Sequence, residues 1–189
     1  MPLTVAGATP ILTANLVASG MLGTGVPKLS LGIATGLQLW TPTITVTTID
    51  AGTLGVGVGT LPCIVAQPVL YGFLLESFAS MGLMGPMCPL FCLGLSTGIT
   101  LSYVQGIVTT THPTVGVGTA TAKFVPSPAP PMMIQGFAAV GSTGDGPTRT
   151  ATAIGLALMK TFSSLVLPMP IVGSPSPSGS SGVGTGKIL

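Results

Sequence analysis

Charge is what this chain has least of. Among its 189 residues only eight are charged, five basic and three acidic, where a soluble protein carries about 25%. A formal net charge of +2 supplies no basic patch to grip phosphates, so direct nucleic-acid binding is not expected. So little charge also leaves an isolated monomer without colloidal protection. Most of the surface should therefore meet partner protein or lipid. Histidine is as scarce, with His112 alone. Three cysteines, Cys63, Cys88 and Cys92, do not make a disulfide scaffold, and with a single histidine they cannot complete a tetrahedral zinc set. They read as small buried hydrophobes in a reducing compartment, with an intermolecular disulfide as the alternative. No metal and no cofactor is expected. The first residues, Met1-Pro2-Leu3-Thr4-Val5-Ala6-Gly7, lack a basic segment, so a secretory signal is not expected either.

What the chain does have is glycine (28), proline (18) and a 47% hydrophobic content, too apolar for a disordered, highly charged chain. The glycines repeat. Gly55-Val56-Gly57-Val58-Gly59-Thr60 returns as Val115-Gly116-Val117-Gly118-Thr119 and, shortened, as Gly182-Val183-Gly184-Thr185. Each copy closes a block of similar content, which divides the chain into three tandem units: 1–68, 69–128 and 129–189. Periods of this length mark a repeated supersecondary unit.

In the first unit, Ile11, Leu12, Leu16 and Val17 share a helical face behind Pro10, and Gly20 can end that helix. Pro27 suits the start of a second helix carrying Leu29, Ile33, Leu37 and Trp40 near one face. Gly32 and Gly36 leave a groove on it for another backbone. Thr43 to Ile49 alternates with period two and is β-branched, a strand signal. An offset of 62 carries Leu16, Gly20, Gly23, Pro27, Gly32 and Gly36 onto Phe78, Gly82, Gly85, Pro89, Gly94 and Gly98. An offset of 121 carries Leu16, Gly20 and Gly23 onto Phe137, Gly141 and Gly144, with Ala153 and Ala157 replacing the glycine pair. Pro126-Ser127-Pro128-Ala129-Pro130-Pro131 reads as a stiff linker, and 174–181 as a Ser/Pro-rich insertion. The expected fold is α+β: three repeats of short helix, glycine turn, helix, strand and Gly/Val segment. A pseudo-threefold body and an open stack are both compatible with it.

The chemistry that the motifs suggest dissolves against the repeat. Gly94-Leu95-Ser96-Thr97-Gly98 matches a nucleophile elbow, but the first unit has Gly32-Ile33-Ala34-Thr35-Gly36, with alanine for the serine. Gly182 to Ile188 looks like a phosphate loop, yet the Ser/Thr and the following helix are missing. Asp50, Glu76 and Asp145 occupy different places in their units, so no carboxylate pair recurs for acid–base work. His112 stands in the slot of Asp50 and fits a turn before Pro113. No catalytic residue is expected. The residues singled out for close packing or interface contact are Gly32, Gly36, Gly57, Gly94, Gly98 and Gly116, with Trp40 and Tyr103 as aromatic anchors.

No Asp, Glu, Lys or Arg occurs between Glu76 and Lys123, and Pro89 to Val108 has the length of a membrane helix. The corresponding helix carries Lys28 in the first unit, and Arg149 and Lys160 in the third, so protein neighbours explain the composition better than lipid. The recurring Gly-x-x-Gly turn, the Gly-x-x-x-Gly helix, Val-Thr-Thr and Gly-Val-Gly-Thr, from about Leu12 to Thr185, resemble glycine-rich virion structural proteins of large tailed bacteriophages. That resemblance implies a non-catalytic component of head, neck or tail/baseplate. It would work in a multi-copy assembly with other virion proteins and be localised to the virion after assembly in the host cytoplasm. The alternative is a small integral membrane protein, holin- or pore-like.

Overall fold

The computed structural model describes the backbone of residues 3–50, 56–60, 67–105, 107–111, 118–126, 128–163, 167–171 and 182–187, and side chains over 3–44, 67–105, 126 and 128–163. Six helices fill the second set: α1 (Val5–Ala18), α2 (Gly25–Trp40), α3 (Gln67–Ser80), α4 (Cys88–Val104), α5 (Ala129–Ala139) and α6 (Asp145–Ser163). Each sequence unit supplies one helix pair.

Local chemistry sets the helix ends. The hydroxyl of Thr4 caps α1, accepting a hydrogen bond from Gly7 N–H at 3.2 Å. Proline sits in the first turn of α2 (Pro27), α3 (Pro68), α4 (Pro89), α5 (Pro130, Pro131) and α6 (Pro147), where its missing N–H has no helical partner to lose. The expected linker before the third unit is thereby corrected, since Ala129-Pro130-Pro131 opens α5. The expected start of α1 is corrected as well. The helix begins at Val5 and runs through Pro10, because the Thr4 cap fixes its first turn before the proline is reached. The boundary placed after Pro68 falls inside the first turn of α3.

The first helix of every pair ends the same way. Gly20, Gly82 and Gly141 adopt φ of 90°, 70° and 76°, a left-handed conformation that L side chains resist. Around each, two backbone bonds close a Schellman motif. Met21 N–H reaches Leu16 O at 3.1 Å, Leu83 N–H reaches Phe78 O at 2.9 Å, and Ser142 N–H reaches Phe137 O at 3.0 Å. The three turns are one structure made three times.

The pairs close on themselves. Each helix packs on its sequence neighbours, and α6 returns to pack on α1, so the six helices form a ring and not an open stack. A single core runs through it. Leu12, Leu16, Ile33, Leu37, Leu70, Leu74, Leu95, Ile99 and Ile154 are all essentially without solvent contact. At their C-terminal ends the second helices of the three pairs each contribute one buried aromatic ring to this core. Trp40 and Tyr103 meet at 4.9 Å between centroids, and Tyr103 meets Phe162 edge-on at 5.3 Å, the geometry aromatic quadrupoles favour.

The expected α+β class is corrected by this core. Among the residues whose side chains are described there are six helices and no strand, and the packed body is all-helical. Thr45–Asp50, Val56–Thr60, Ile107–Thr111, Gly118–Val125, Leu167–Ile171 and Gly182–Lys187 are described as extended backbone that pairs antiparallel, segment to segment. Their side chains lie outside the described residues. The physical reason lies in the helices: the apolar stripes of the paired helices bury one another and make the described core without a sheet.

Candidate functional site

The seams between helix pairs are built on small residues. A methyl group on Gly32 would stand 2.6 Å from the Phe78 ring, and one on Gly36 would stand 2.8 Å from Leu74 Cδ2. Both distances are too short for real carbon contacts, so α2 and α3 approach only because these positions lack side chains. The next seam repeats the device. Gly94 faces Phe137 and Val140, while Gly98 faces the backbone of Met133, with a virtual Cβ 2.8 Å from its Cα. Gly136 of α5 lies directly against the backbone of Gly94 and Gly98, a contact the sequence reading missed because the first unit has no counterpart to it. Ala153 and Ala157 are buried on α6, which packs on α1. Of the remaining candidates, Trp40 and Tyr103 lie in the core and not on a surface. Gly57 sits on extended backbone opposite Thr110, and Gly116 lies outside the described residues.

Among the described residues no catalytic constellation forms around these positions. Ser96 is buried in mid-helix on α4, where its hydroxyl donates to Leu93 O at 3.0 Å and accepts from Gln67 Nε2 at 2.9 Å. A strand-to-helix elbow is not present at Ser96, and no acid or histidine contacts its hydroxyl among the described residues. Gly182–Lys187 is extended backbone. Glu76 and Asp145 are exposed on different helices, α3 and α6. Asp145 begins α6, where a carboxylate complements the helix dipole. Among the described residues no three Cys, His, Asp or Glu side chains gather as metal ligands. His112 and Cys63 lie outside the described residues.

Two features stand out at the end of the ring where the turns converge. The first is apolar exposure. Leu22 is 83% exposed, Met87 67% and Met84 59%, on the turns of the first two pairs. Beneath them an open apolar cavity of about 500 Å³ is lined by Met21, Leu29, Phe78, Leu83, Cys88 and Phe91. The second is a thiol pair. Cys88 and Cys92, one helical turn apart at the start of α4, hold their Sγ atoms 3.9 Å apart. Burial pushes the Cys92 thiol up to about 12 from 9.0, with Cys88 beside it adding to the shift. The cavity escaped the sequence reading because its walls come from turns some 60 residues apart, Met21 and Leu83.

The seam that closes the ring, α6 on α1, carries polar contacts. Lys160 Nζ donates to Asn15 Oδ1 at 3.0 Å, and Asn15, Ser19, Thr148, Arg149 and Thr152 line a cavity of about 490 Å³ there. Among the described residues no helix is long and apolar enough to cross a membrane. No protein-family model matches the chain, no curated protein matches it, and no solved structure matches its fold.

Proposed function

We propose that the chain is a structural, non-catalytic component of a tailed-phage virion, in head, neck or tail/baseplate, acting through extensive contacts with other virion proteins in a multi-copy assembly. The observation that carries this reading is the apolar turn end. Leu22, Met84 and Met87 stand out from a body whose sequence holds only eight charged residues, and exposed apolar side chains clustered in this way mark protein–protein contact. The tight ring beneath them supports the same reading, since obligate subunits resemble domain cores and need no reactive groups. The glycine motifs that resemble virion proteins support its location in the particle. The test is mass spectrometry of purified phage particles from the source of this sequence. Fixed stoichiometric copies in the particle are expected. Absence from particles, with the chain recovered elsewhere in the infected cell, overturns the reading.

A further inference from the structure

The thiol pair at the turn end can do more than fill space. Cys88 and Cys92 lie four residues apart on α4, on one face of the helix, and their sulfurs are 3.9 Å apart. Two metal–thiolate bonds of about 2.3 Å can separate their sulfurs by at most about 4.6 Å, so at 3.9 Å the pair is close enough for both sulfurs to bond one metal ion. Met21 and Met87 line the cavity onto which Cys88 opens, and the Met21 sulfur accepts from Thr150 Oγ1 at 3.6 Å. No carboxylate or imidazole joins the pair among the described residues. A donor pair of two thiols without carboxylate or imidazole selects soft cations over hard ones.

We propose that Cys88 and Cys92 form a binding site for one soft monovalent cation, Cu(I) in chemistry, at the start of α4, where Cys88 borders the apolar cavity. On binding, each S–H bond breaks, each sulfur forms one bond to the ion, and both protons leave to solvent; nothing is oxidised or reduced. The proposal is independent of the virion reading, because it concerns what the site binds and not where the chain resides. A metal bridge there staples the first turn of α4, next to the most exposed apolar residues of the fold.

The experiment uses the full-length chain with Cys63→Ser, which removes the third thiol. Under anaerobic conditions it is titrated with Cu(I) supplied as the complex of a chromogenic chelator. Uptake of one equivalent is expected, with affinity at least about tenfold weaker after Cys88→Ala or Cys92→Ala, a loss of the size seen when metal-site support is removed. X-ray absorption at the copper edge of the Cys63→Ser protein should show a shell of sulfur alone. No uptake, equal uptake after Cys92→Ala in a protein that keeps its helical circular dichroism, or a nitrogen/oxygen shell overturns the proposal. Since Cys92 is fully buried and its replacement can unfold the chain, the absorption spectrum decides the matter if the alanine variant loses its helices.

Discussion

Gly98 and Gly72 are both helical glycines, and the structure predicts opposite outcomes for the same substitution. At Gly98 a new methyl would lie 2.8 Å from Met133 Cα and 3.1 Å from Met132 O. Backbone cannot swing aside as a side chain does, so Gly98→Ala should destabilise the fold by about 1–3 kcal/mol. At Gly72, within α3, nothing stands within 4 Å. Gly72→Ala removes unfolded-state freedom without a clash and should stabilise by about 0.5–1 kcal/mol. Chemical denaturation of the two variants checks both signs, and equal effects would mean that the α4–α5 seam is looser than described. The thiol at Cys92 adds a pH dependence. Its folded value is raised, to about 12 from 9.0, so folding favours the neutral thiol. The stability this contributes is fully present below pH 9.0 and is lost as pH rises toward about 12. Stability of the Cys92→Ala protein, measured against wild type across that interval, should fall less steeply.

The glycine turns show how much of the fold was legible beforehand, and why the rest was not. Gly20, Gly82 and Gly141 were marked as helix ends from their spacing alone, and each has the positive φ that only glycine adopts readily. Alanine at any of the three should cost about 1 kcal/mol, readable as a lowered thermal midpoint, with similar losses at all three because the motifs match bond for bond. Helix ends are legible because their chemistry is local. The small positions Gly32, Gly36, Gly94 and Gly98 were legible for a related reason, since a helical spacing of four places them in one stripe. What they face was not legible: Phe78, Leu74, Phe137 and Met133 belong to other elements. The α+β class went astray for the opposite reason. β-branched alternation from Thr43 to Ile49 speaks to local backbone preference, and Thr45–Asp50 is extended backbone, but such preference does not decide what makes up the packed body. The apolar cavity was invisible in sequence because turns distant along the chain form its walls.

The ring as a whole makes a prediction that an open stack of the same units would not. In a stack each repeat touches only its neighbours, and removing an end unit leaves the others folded with modest loss. Here α6 packs on α1 and α5 on α4, so the third helix pair holds two seams at once. Ending the chain after residue 128 would take Ile154, Leu158 and Phe162 out of the core that Leu12 and Leu16 of α1 share. It would equally bare the glycine face of α4, where Gly94 and Gly98 meet Phe137 and Met133. The aromatic trio would lose Phe162 from its contact with Tyr103. Each of these surfaces is essentially without solvent contact in the closed form, and the chain has almost no charge with which to keep them apart in water. The truncated protein should therefore lose cooperative unfolding and self-associate, where a stack would leave a soluble, helical pair of units. Size-exclusion chromatography with circular dichroism distinguishes the outcomes. A monodisperse truncation with a sharp thermal transition would show that closure contributes little and that the pairs fold as independent neighbours.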